Sequence, residues 1–67
     1  MTIREAMQLA STQPRTNAIF YRPGTDSAAI YPYDDEPGRG WVLWCDCGLA
    51  ANLVQAFGVE RAYEQIA

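Results

Sequence analysis

The sequence predicts a small α+β domain of order α-β-β-β-α, a three-stranded antiparallel sheet with helices packed on one face. Three observations carry this. An apolar stripe at helical spacing opens the chain, from Ile3 to Ala10. Three short runs rich in β-branched and aromatic residues fill its middle, parted by Pro/Gly turns. A second helical stretch closes it and is broken at Gly58. A sheet covered by helices on one side satisfies the two-layer rule, and 67 residues allow one domain spanning 1–67.

Thr2-Ile3-Arg4-Glu5 has the form of a capping box, a threonine N-cap with a glutamate three residues on. Ile3, Ala6, Met7 and Ala10 then share one stripe with Leu9 at its edge, and Pro14 ends the helix near Thr12. Residues 16–22 read as a strand, with Ile19 and Tyr21 on one face and Ala18 and Phe20 on the other. Pro23-Gly24-Thr25-Asp26-Ser27 is turn chemistry. A second strand runs over 28–33, and Pro32, which has no N–H, places it at an edge or ends it. Residues 34–40 form an exposed loop.

Gly40-Trp-Val-Leu-Trp-Cys-Asp-Cys-Gly48 reads as the central strand. Alternation puts Trp41, Leu43, Cys45 and Cys47 on one face and Val42, Trp44 and Asp46 on the other. The short connections suggest an antiparallel meander. Residues 49–57 form a helix with Leu49, Ala50, Leu53, Val54 and Phe57 on its apolar face. Val59, Ala62, Tyr63 and Ile66 point roughly 160–200° away from that set on a continuous helix. Gly58 therefore marks a C′ break and a second, re-aimed helix.

Composition narrows the function. The chain is 49% hydrophobic and 12% aromatic, enough for a core and against disorder. Net charge is -3, and the five arginines are scattered, so the clustered basic face of a nucleic-acid binder is missing. No apolar run is long enough to span a membrane and the start lacks the pattern of a secretory signal, so a cytoplasmic protein with reduced cysteines is expected. Two cysteines without a histidine supply half of a zinc site, and no nucleophile has a histidine base. The expectation is no enzyme, no catalytic residue, no cofactor and no metal.

Two resemblances concern nucleic acids. The element order is similar to that of double-stranded RNA-binding domains, but residues 48–67 offer one arginine against two glutamates. Phe57-Gly58-Val59 looks like the turn of a helix-turn-helix, which implies a small DNA-binding transcriptional regulator as the alternative function. Its second helix would start near Glu60, run to Ala67 and present Glu60, Arg61 and Glu64, a poor match for phosphate.

Eight aromatic side chains are many for so small a core, and tyrosine and tryptophan favour interfaces. The expected function is a protein-binding module, a small inhibitor or adaptor occupying a site on a larger protein. Phage- or mobile-element-encoded inhibitors of host machinery, including anti-CRISPR proteins, are similar in size and plainness. The expected contact residues are Tyr33, Asp34, Asp35, Glu36 and Arg39 of the loop, with Trp44 of the neighbouring strand. A homodimer covering spare apolar surface is a further expectation.

Overall fold

The computed structural model describes residues 1–66 and contains three helices and one three-stranded antiparallel sheet. Helix α1 (Ile3–Leu9) tightens into a 3₁₀ turn at Ala10–Thr12. Strands β1 (Asn17–Tyr21), β2 (Ala28–Pro32) and β3 (Val42–Asp46) follow, then α2 (Cys47–Phe57) and α3 (Val59–Glu64). Ala67, the far end of the expected second closing helix, lies outside the described residues. No helix among the described residues is long and apolar enough to cross a membrane.

Local chemistry sets the helix ends. The Thr2 hydroxyl accepts from the Glu5 N–H at 3.1 Å while the Glu5 carboxylate accepts from the Thr2 N–H at 2.8 Å, the reciprocal box that α1 was expected to carry. Gly58 adopts φ 89° and ψ 162°, which glycine reaches far more cheaply than other residues, and so lets α3 leave at a new angle. The start of α2 differs from expectation. The Asp46 carboxylate accepts from the Leu49 N–H at 2.7 Å and caps the helix, so Cys47 is its first residue rather than the end of the strand.

The sheet is not a meander, and the tryptophan strand is not central. Strand order is β2-β1-β3, with β1 in the middle and antiparallel to both neighbours. Strands β2 and β3 are therefore parallel to each other, so residues 33–41 must cross a whole face of β1 to join them. The helices hold one face: α1 packs on β1 and β2, α2 on β1 and β3, and α3 on α1 and α2. Ile19, turned toward the helices, sits in the core with Ile3, Ala6, Met7, Cys47 and Ala50. Phe20 points the other way and is still only 2% exposed. The crossing loop, with half-buried Pro37 and Trp41, is the chain that topology places over it.

Simple alternation also fails within β3. Ile19 pairs with Cys45 and Phe20 with Leu43, which leaves Trp44 as the extra residue of a β-bulge. Trp44 and Cys45 consequently both pack against the helix-side core. The expected core set of Trp41, Leu43, Cys45 and Cys47 is thus divided, with Leu43 exposed and Cys47 buried on α2.

Candidate functional site

The loop that carries five of the expected contact residues is anchored at both ends. At its start the Tyr33 N–H donates to the Thr16 carbonyl at 2.8 Å, extending the ladder beyond β2, and the Asp35 N–H donates to the Pro32 carbonyl at 2.9 Å to close a turn. At its far end the Arg22 guanidinium stacks over the Trp41 ring, 4.8 Å from the centroid. These fastenings leave Asp34, Asp35, Glu36 and Arg39 exposed between them. Tyr33 is 53% exposed. Tyr31 pairs with Ala18 on the face away from the helices, and Tyr33 continues that row. The result is an acidic run beside two exposed phenol rings at one end of β2, held on a pinned backbone.

Trp44 does not join this group. Its bulge position turns it toward the helix layer, where it is half-buried against the core, whereas Tyr31 and Tyr33 stand on the opposite face. Sequence reasoning did not find the Arg22–Trp41 stack, because the two residues become neighbours only through the β1–β3 register. It also placed Leu49 and Phe57 in the core, whereas both side chains are exposed.

The two cysteines are free. Burial, with smaller contributions from Asp46 and Cys47, pushes the Cys45 thiol up to about 12, and burial also raises Cys47. Among the described residues no group of three or more His, Cys, Asp or Glu side chains converges to hold a metal ion. The geometry of the loop offers charge, hydrogen-bond acceptors and aromatic area for non-covalent contact.

The helix-turn-helix-like segment has a different setting. Glu60 forms a two-point ion pair with Arg4 of α1, Nε to Oε2 at 2.7 Å and Nη2 to Oε1 at 3.0 Å, and the same guanidinium lies 4.0 Å over the Tyr63 ring. This clasp holds α3 against α1. Beside it, Arg61 and Glu64 line a shallow groove of about 360 Å³ with Leu53 and Phe57. Searches among family models, curated proteins and solved structures found no match to this chain.

Proposed function

We propose that this chain is a non-enzymatic protein-binding module of the inhibitor or adaptor kind, acting in the cytoplasm by occupying a site on a larger protein. The supporting observation is the exposed acidic run Asp34, Asp35 and Glu36 set beside Tyr31 and Tyr33 on a loop fastened at both ends. A loop ordered before contact loses less entropy on binding, which favours recognition over idle flexibility. Three carboxylates select a partner surface rich in arginine or lysine, and the tyrosines add apolar area with a polar tip.

The test is affinity capture from lysate with the wild-type chain and a triple variant, Asp34→Ala, Asp35→Ala and Glu36→Ala. The variant should retain its far-UV circular dichroism yet lose at least about tenfold in affinity for the captured protein, with the largest difference at low salt. Equal affinity of the two forms for that protein removes the loop from the interface.

A further inference from the structure

We infer that α3 is a hinged flap, which swings off α1 and α2 about Gly58 while the sheet and the other two helices stay folded. The inference stands apart from the binding role proposed for the loop of residues 33–41.

The hinge is a single residue. The Gly58 N–H donates to the Val54 carbonyl at 2.8 Å and closes α2, and the Gly58 carbonyl accepts from the Ala62 N–H at 3.1 Å and opens α3. No other residue stands between the two helices. Its φ of 89° lies where glycine moves most freely, and nothing lies within 4 Å of the place a Cβ would take. The backbone therefore has room to pivot. Hinges are commonly a few element-terminal residues of this kind that absorb the dihedral change.

What the hinge carries is lightly held. Helix α3 has 6 residues, and no side chain caps its N-terminus. A helix this short is not stable alone in water, so its order comes from packing. That packing is with α1 and α2, and among the described residues no comparable contact joins α3 to the sheet. Of its side chains only Ala62 is fully buried, at 2% exposed, and alanine offers little apolar area. Val59, Tyr63 and the following Ile66 are only partly buried against the core.

At about 100° per residue, Ala62 lies between Arg61 and Gln65 on one side and Tyr63 and Ile66 on the other. An open groove runs along each side. Leu53 and Phe57 share one of about 360 Å³ with Arg61 and Gln65, and Ile3 and Tyr21 share one of about 410 Å³ with Tyr63 and Ile66. Solvent thus flanks the one buried contact on both sides.

The closing contact is the clasp at the surface. Arg4 of α1 holds Glu60 through two hydrogen bonds and lies over the Tyr63 ring. Both charged side chains are open to solvent, 44% for Arg4 and 71% for Glu60. An exposed pair of this kind adds only a little stability, so the clasp sets how far the flap equilibrium lies toward closed without locking it. In the open form the cluster of Ile3, Ala6, Met7 and Ala50 loses the cover of Ala62. Local openings draw on segments with few buried contacts, as α3 has.

Native-state amide exchange of the whole chain, followed by NMR at increasing urea, tests the flap. In the wild type the Ala62 and Gln65 amides should be at least about tenfold less protected than Leu53 and Val54 in the middle of α2, with a shallower urea slope common to both. Glu60→Gln, which keeps the size and removes the charge, should speed Ala62 and Gln65 roughly two- to fivefold. Asp46→Ala removes the α2 cap, which the open and closed forms share. It should speed Leu53 and Val54 about fivefold and leave Ala62 and Gln65 unchanged. One urea slope for both helices, equal acceleration of both by Asp46→Ala, Gln65 exchanging freely while Ala62 keeps the α2 rate, or a Glu60→Gln chain with wild-type α3 exchange would each overturn the inference.

Discussion

Arg4 and Thr2 each hold a carboxylate in its charged form. The Arg4 hydrogen bond keeps the Glu60 carboxyl below its ordinary value of 4.5, and the Thr2 backbone and hydroxyl do the same for Glu5. A depressed carboxylate stabilises the fold at pH values above the unfolded-state value, and that contribution is lost as pH falls through the lowered native value. Thermal stability should therefore be level above pH 5 or so and decline below about 4.5. Glu60→Gln should make that decline shallower, and melting curves across the pH range measure it. At the alkaline end, Cys45 is held as a thiol by burial up to about 12, and Cys47 is buried outright. Thiolates are the reacting species. The folded chain should thus resist iodoacetamide at pH 8 and become labelled at both positions in denaturant; rapid labelling of the native form contradicts the packing of α2 on β3.

Single residues act on this fold mostly by ending elements. Asp46 both leaves the sheet and caps α2, so the strand passes into helix with no intervening loop. Asp46→Ala should cost about 1 kcal/mol, and Asp46→Asn much less, because asparagine caps comparably. Gly58 works by backbone alone: at φ 89° and ψ 162° a side chain is strained although open space surrounds the position. Gly58→Ala should cost roughly 1–3 kcal/mol. Urea titrations of the three variants rank these costs, and a Gly58→Ala protein of wild-type stability would mean that α3 does not need this turn. The Gly58 break was legible in the sequence as a change of helical phase, whereas alternation carried the strand on past Asp46 and hid its cap. The bulge in β3 was hidden as well. Nothing in Val42-Leu43-Trp44-Cys45 announces an extra residue, since the bulge exists only relative to Ile19 and Phe20 on the partner strand.

Across the molecule, the strand order decides which surfaces are covered and which are left open. Placing β1 between β2 and β3 obliges residues 33–41 to cross β1, with Asp34 to Glu36 exposed on a loop fastened at both ends, and Phe20, on the sheet face away from the helices, is only 2% exposed. The same order leaves β3 at an edge with apolar side chains on both of its faces, whereas β2 is closed by Met1, Thr2 and Pro32.

The expected α+β class, the α-β-β-β-α order, the capping box at Thr2 and Glu5, the edge position of β2 and the break at Gly58 all stand in the structure. Each is written in the chain because its cause is local: helical spacing, a side chain reaching its own backbone, a missing N–H, or a dihedral that glycine tolerates. The position of Gly40 to Gly48 as an edge rather than a centre was not legible, nor were the division of its tryptophans, the Arg22–Trp41 stack and the exposure of Leu49 and Phe57. Those follow from which strand β3 chose as a neighbour. That choice compares whole pairings distant in sequence, and alternation within one strand carries no information about it.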